Sequence, residues 1–187
     1  MELKLEDFDV SISAQRIRER VNDLGARIRA DYEGKDLVAV GVLKGSFIFL
    51  ADLVRHLPPS TTCDFLRCSS YKGIHSSGKV RIEFDLTQPI EGKHVLLIED
   101  IIDTGLTADF VMKTLAMRSP ASLKICTLLD KPARRKSAVD VSYKGFTIDD
   151  KFVIGYGLDY DGAYRNLREI RSLKPEVQAQ LVRAELH

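Results

Sequence analysis

Long charge-free runs are missing from this sequence. No stretch without Asp, Glu, Lys or Arg exceeds eight residues, against the roughly 20 apolar residues that a membrane-spanning helix needs. Charge of one sign is missing too: 28 Lys+Arg against 27 Asp+Glu leaves a formal net charge of +1. That balance gives no support to a nucleic-acid or membrane partner held mainly by net charge. Cysteine is scarce. Cys63, Cys68 and Cys126 show no C-x-x-C spacing, so idle or buried thiols in a reducing cytoplasm are expected. The first ten residues, MELKLEDFDV, lack the basic start and apolar run of a secretory signal. Internal repeats and low-complexity tracts are absent. So are the two familiar nucleotide motifs: there is no G-x-x-x-x-G-K-[ST], and no G-x-G-x-x-G opens a helix.

What remains is the balance of an ordinary globule, 44% hydrophobic and 29% charged over 187 residues. A single domain spanning residues 1–187 is expected. A chain of this length buries roughly 70% of its unfolded surface and needs no staples.

Periodicity supplies the elements. Ile17, Val21, Leu24 and Ile28 step by four, three and four, the stripe of an amphipathic helix, with Ser13 as its N-cap. Leu37 to Leu43 (LVAVGVL) is apolar throughout, as in a strand buried on both faces. Phe47, Leu50, Val54 and Leu57 predict a helix ended by Pro58-Pro59. A strand is expected over Cys63 to Ser70, then a polar loop, Lys72 to Lys79 (KGIHSSGK), read as mobile. Val80 to Leu86 alternates like a half-solvated strand. After a turn at Glu91-Gly92, Val95 to Ile98 is another buried strand. Ala108, Val111 and Leu115 mark a helix, and Leu123 to Leu129 and Phe152 to Leu158 predict further strands. Past Ile170 the chain turns polar, and Pro175 opens a short helix through Val177 and Leu181. Strands alternating with helices indicate βαβ units around a mostly parallel sheet, an α/β fold.

The chemistry concentrates in Val95 to Thr107, VLLIEDIIDTGLT. A buried strand runs into Glu99 and Asp100, and Asp103 follows at a Thr-Gly-Leu-Thr turn that opens a helix. Ligands of open α/β sheets sit beyond the carboxyl ends of strands. A helix N-terminus offers free N–H groups and a favourable dipole to a phosphate. Gly105 lets the backbone approach an anion closely, and Thr104 and Thr107 add hydroxyl donors. Acids beside an anion seat repel the anion unless they hold sugar hydroxyls or a metal. The combination therefore suggests a phosphorylated sugar, with phosphate on the turn and the ribose diol on Glu99 and Asp100. The competing structural reading is a tight connection in which Asp103 or Thr104 merely caps the helix.

This segment closely resembles the phosphoribosyl pyrophosphate (PRPP) motif of the type I phosphoribosyltransferases, and with the later residues it resembles their hypoxanthine-guanine branch. The resemblance covers roughly Val38 to Arg168. It implies the type I phosphoribosyltransferase fold: a mostly parallel central sheet flanked by helices, with a small hood from the N-terminal or C-terminal segments. It implies Mg2+-dependent transfer of the 5-phosphoribosyl group from PRPP to hypoxanthine or guanine in a cytoplasmic homodimer or homotetramer, with no nucleic-acid or membrane partner.

Residue by residue, Asp103 matches the general base at purine N7. Glu99 and Asp100 match the ribose-diol acids, and Thr104, Gly105, Leu106 and Thr107 match the 5′-phosphate turn. Relatives often carry lysine where this chain has Leu106, which removes a side-chain contact but leaves the backbone cradle. Lys44 and Gly45 match a pyrophosphate loop whose non-proline peptide is often cis, here implying Leu43-Lys44. Lys131 matches the reader of the purine 6-oxo group, since an ammonium only donates and so opposes an amino group. Phe152 matches the stacking aromatic, and Val153 gives backbone contacts to the base. Arg165 matches a pyrophosphate ligand, and Asp159 an acid near its magnesium, joined in metal binding by Glu99 and Asp100. Ser70 and Tyr71 open a loop, about 70–80, that closes over PRPP. Three other readings stay open at this point: a xanthine-preferring enzyme, an RNA-binding regulator on the same fold, and a non-enzymatic PRPP sensor.

Overall fold

The computed structural model describes residues 3–70 and 80–185. The Lys72 to Lys79 loop and Tyr71 lie outside these residues.

The chain starts with β1 (Phe8–Ile12), followed by α1 (Ala14–Asp31). Ser13 caps α1 as its sequence position predicts, its hydroxyl accepting from Arg16 N at 3.3 Å. The expected stripe of Ile17, Val21, Leu24 and Ile28 is buried. Next come β2 (Leu37–Leu43), α2 (Phe47–Leu53), β3 (Thr62–Ser70), β4 (Val80–Phe84) and β5 (His94–Ile102). The chain continues through α3 (Leu106–Ala116), β6 (Ser122–Asp130), β7 (Tyr143–Thr147), β8 (Val153–Ile154), β9 (Ile170–Leu173) and α4 (Pro175–Glu185).

Six strands form the main sheet in the order β4-β3-β2-β5-β6-β7. All neighbours are parallel except β4, which runs antiparallel on β3. Strand periodicity explains why β2 is apolar at every position. Leu37 and Ala39 join the core beneath α1 and α2, whereas Val38, Val40 and Val42 join the core beneath α3. Both faces are covered, so both sets must be apolar. A second, three-stranded sheet has the order β1-β9-β8. It draws on both ends of the chain, with Phe8 opposite Leu173, and packs Leu3, Phe8, Ile154, Leu173 and Val177 together.

Four expectations need correction. The helix expected through Leu57 stops at Leu53 and tightens into a 3-10 turn over Val54–His56. β4 ends at Phe84, before Leu86. β5 runs to Ile102, so Glu99 and Asp100 are strand residues rather than residues beyond a strand. The strand expected over Phe152 to Leu158 contains only Val153 and Ile154. Beyond it Gly155, Tyr156 and Gly157 all have positive φ, at 95°, 50° and 102°, a conformation that breaks a strand. β8 also belongs to the small sheet, not the parallel one.

Parallel pairing sets the site. β2, β5 and β6 are neighbours pointing the same way. Lys44, Asp103 and Lys131, each the first residue past one of these strands, therefore emerge at one edge, where α/β folds hold ligands.

Candidate active site

At the end of β2 the Leu43-Lys44 peptide is cis, as the family resemblance implies. Ser46 is fully buried, and its hydroxyl donates to Val42 O at 2.7 Å. That bond folds the Lys44-Gly45 loop back onto its own strand and leaves Lys44 exposed. The loop packs tightly on two sides. A methyl group built on Gly45 would lie 1.8 Å from Asp100 Oδ2, and one on Gly157 would lie 2.1 Å from Gly45 O. The loop thus packs against the side chain of the β5 acid Asp100 on one side and against the backbone of the segment leading to Asp159 on the other.

Glu99 is 6% exposed. Its carboxyl is pushed well above the usual range by burial and then by the charge of Asp100. Asp100 is pushed up to about 6, chiefly by burial; backbone hydrogen bonds and the charge of Arg165 oppose the rise, and Asp159 adds to it. Two adjacent desolvated acids at a sheet edge are costly in isolation. They suit a site that receives hydroxyls or a cation.

The turn after β5 is open. Gly105 is the N-cap of α3 at φ 82°, and no side chain caps the helix. Leu106 N has only a long 3.5 Å contact to Thr104 Oγ1. Among the described residues the amides of Thr104, Gly105, Thr107 and Ala108 have no hydrogen-bond acceptor. Neither Asp103 nor Thr104 is the N-cap of α3, though Thr104 keeps the long contact to Leu106 N, and the remaining donors of the turn could meet an anion. A small cleft runs over it, lined by Glu99, Asp103, Thr104, Gly105 and Thr107. Leu106 is 41% exposed.

Asp103 Oδ1 is buried and receives no hydrogen bond among the described residues, although Arg134 Nε stands 3.3 Å away as an ion contact. An acid oriented by a cation but with an oxygen unsatisfied can accept a proton from a ligand. Arg134 also reaches Asp150 at 3.5 Å.

Lys131 is 5% exposed, and its ammonium donates to Lys151 O at 2.5 Å while its amide donates to Ile102 O at 3.0 Å. Burial lowers its pKa, against the opposing charges of Asp103 and Asp150. A buried lysine with two remaining donors can recognise an acceptor. Phe152 has a free face: it is 40% exposed and meets Phe8 and Tyr160 with ring centroids 6.3 and 6.0 Å away. Val153 is buried in β8, opposite Ser172.

Arg165 Nη2 lies 2.6 Å from Asp159 Oδ1 and its Nη1 donates to Gly157 O at 2.5 Å. Asp159 Oδ2 accepts from Gly162 N at 2.8 Å. The arginine and the acid are thus held as a unit, and the charges of both act on Asp100. The backbone of Ser70 ends β3, whereas Tyr71 lies outside the described residues. Contacts missed in the sequence include Arg134 at Asp103, Gly157 at Gly45, and the Tyr156 hydroxyl donating to Asp52 Oδ2 at 2.7 Å. None has a local sequence signal, because each joins segments far apart in the chain.

Comparisons with known proteins show the family of the chain. The phosphoribosyl transferase domain model matches residues 11–161. The chain is 47% identical over 170 residues to a hypoxanthine-guanine phosphoribosyltransferase of Staphylococcus aureus (strain Mu50 / ATCC 700699), covering 90% of this chain and 95% of that one. It is 48% identical over 169 residues to a hypoxanthine phosphoribosyltransferase of Haemophilus influenzae, covering 88% and 94%. Among solved structures, a Staphylococcus aureus hypoxanthine phosphoribosyltransferase superposes with a TM-score of 0.87 at 46% identity, covering 92% of this chain and 95% of that one.

Proposed function

The chain belongs to the phosphoribosyl transferase domain family, and from that premise we propose that it acts in purine salvage, transferring the 5-phosphoribosyl group of PRPP to hypoxanthine or guanine. The products are the nucleoside 5′-monophosphate and pyrophosphate. The observation that carries this reading is the open turn at Thr104 to Thr107, with free amides beside the buried Glu99 and the partly buried Asp100. A phosphate on the amides and a ribose diol on Glu99 and Asp100 use every feature of that arrangement.

The bond from ribose C1′ to purine nitrogen forms as the bond to pyrophosphate oxygen breaks. Asp103 shares the N7 proton and makes the base more nucleophilic. Phe152 stacks on the purine, Val153 contacts it through the backbone, and Lys131 donates to O6. Lys44, the Gly45 amide and Arg165 meet the negative charge that collects on pyrophosphate. We assign the small sheet to a hood over the base, and Ser70 and Tyr71 to the start of a lid that excludes water.

Magnesium fits the donor set as a shared ion. No group of three or more His, Cys, Asp or Glu side chains capable of holding a metal occurs among the described residues. Mg2+ commonly takes one or two carboxylates and completes its shell with substrate phosphates and water. Glu99 and Asp100 provide hard oxygen donors, and Asp159, whose charge acts on Asp100, has its oxygens engaged by Arg165 and Gly162. When bound, the ion neutralises charge on the phosphates. We place the protein in the cytoplasm as a homodimer or homotetramer; among the described residues no helix is long and apolar enough to cross a membrane.

The test is nucleotide formation from hypoxanthine, guanine, xanthine and adenine with PRPP and magnesium. Turnover of the first two supports the reading. Turnover of xanthine alone, or PRPP binding without turnover of any purine, sinks it.

A further inference from the structure

The segment after Lys131 presses on the back of the Thr104 to Thr107 turn. The amides of Lys136 and Ser137 both donate to Thr104 O, at 2.8 and 3.2 Å. In a planar trans peptide the C=O and N–H point in opposite directions. Fixing the Thr104 carbonyl toward residues 136–137 therefore aims the Gly105 N–H away from them. On the same side, the space a Gly105 side chain would need is filled by Ser137 O at 2.7 Å and Arg135 Cδ at 2.9 Å, with Arg135 Nη1 at 3.2 Å.

Arg135 is itself anchored. Its Nη2 pairs with Asp130, the last residue of β6, which is 4% exposed and also receives Lys144 Nζ at 3.3 Å. Arg135 Nη1 is buried and has no hydrogen-bond partner among the described residues. Two cations share one carboxylate, so this cluster carries a net positive charge; Arg135, with 18% of its side chain exposed, is the less screened of the two, and Lys144, at 45%, the more screened.

We propose that Arg135 is a positioning residue for the 5′-phosphate turn: latched to Asp130, it holds Gly105 and the turn's donors at the phosphate and adds a positive field behind them. The proposal rests on the reading that this turn receives the 5′-phosphate. It also places the latch one strand end from Lys131, so a single short segment sets both the phosphate and the base subsites.

The test separates the two phosphate subsites by direct calorimetric binding. Ribose 5-phosphate probes the turn; pyrophosphate with magnesium probes the Lys44 loop. In Arg135→Ala, binding of ribose 5-phosphate is expected to weaken about tenfold, the scale of one misaligned charge-assisted contact, while pyrophosphate binding stays within about twofold. Arg135→Lys, which keeps a stem against Gly105 and a cation for Asp130, is expected to recover most of the loss. A fall in folded fraction changes the number of sites titrated but not the ratio of the two affinities. Equal weakening of both probes, or no weakening of ribose 5-phosphate, overturns the proposal. If the unsubstituted protein binds pyrophosphate but neither ribose 5-phosphate nor PRPP, the functional reading itself fails, and the latch with it.

Discussion

Gly45 lies with its Cα against the carboxylate of Asp100, so closely that a methyl group there would stand 1.8 Å from Oδ2. All three Asp100 carboxylate atoms, Oδ2, Cγ and Oδ1, would lie within 2.8 Å of that methyl group. Gly45→Ala must therefore displace the Lys44-Gly45 loop or the acid. Overpacking of this kind costs about 1–3 kcal/mol, and a thermal melt is expected to show a drop of several degrees. The rate at low PRPP is expected to fall about 100-fold, as for a misplaced reacting group. A melt and a rate both unchanged remove the loop from contact with Asp100.

Asp103 has one buried oxygen without a hydrogen bond. Asp103→Asn keeps the shape but lacks a proton acceptor of comparable basicity. Turnover is expected to fall about 100-fold or more, and PRPP affinity is expected to stay within a few-fold. Steady-state kinetics with direct PRPP binding checks this. Equal losses in both quantities argue against a proton-sharing role.

Lys131 sits almost out of solvent, with its ammonium on Lys151 O. Lys131→Ala is expected to weaken discrimination among purines, with PRPP affinity spared. Unchanged kinetics for hypoxanthine and guanine take Lys131 out of the base subsite.

Asp100 carries a pH signature. Its pKa is raised to about 6 in the folded chain, mainly by burial. The folded state then holds the proton more tightly than the unfolded state, so stability falls as pH rises from the unfolded pKa, near 4, through 6. Asp100→Asn removes that cost and is expected to stabilise the unliganded protein at pH 7–8 by about 1–3 kcal/mol. The same substitution is expected to weaken PRPP binding in magnesium. In the unsubstituted protein that binding is expected to weaken as pH falls through 6. Denaturant melts at pH 5 and pH 8 check the sign; a destabilised variant at pH 8 contradicts it.

Legibility in the sequence followed the physics of each element. α1 and β2 were readable because a cap and a stripe, or an unbroken apolar run, are local signals. β7 was not read: YKGFT alternates buried and exposed positions around a glycine, and its place depends on pairing with β6. β1 and β9 were missed for the same reason: β1 pairs only with β9, more than 150 residues away, and β9 lies between β1 and the two-residue β8. Gly155 and Gly157 sit inside an apolar run, and only the approach of Glu169 O and Gly45 O explains why the strand breaks there. The acids and the open turn at Thr104 to Thr107 were legible because strand, acids, glycine and helix are contiguous. The Arg135 latch and the Arg134 contact were not, because a run of basic residues reads equally well as a solvated surface.

The central claim is that the turn from Thr104 to Thr107 grips the 5′-phosphate. Amide resonances of these residues, followed by 15N-edited NMR while ribose 5-phosphate is added, test it most directly. The account predicts saturable downfield shifts at Gly105, Leu106 and Thr107, larger than at any amide of β7. Ribose 5-phosphate binding that leaves those three amides unmoved contradicts it.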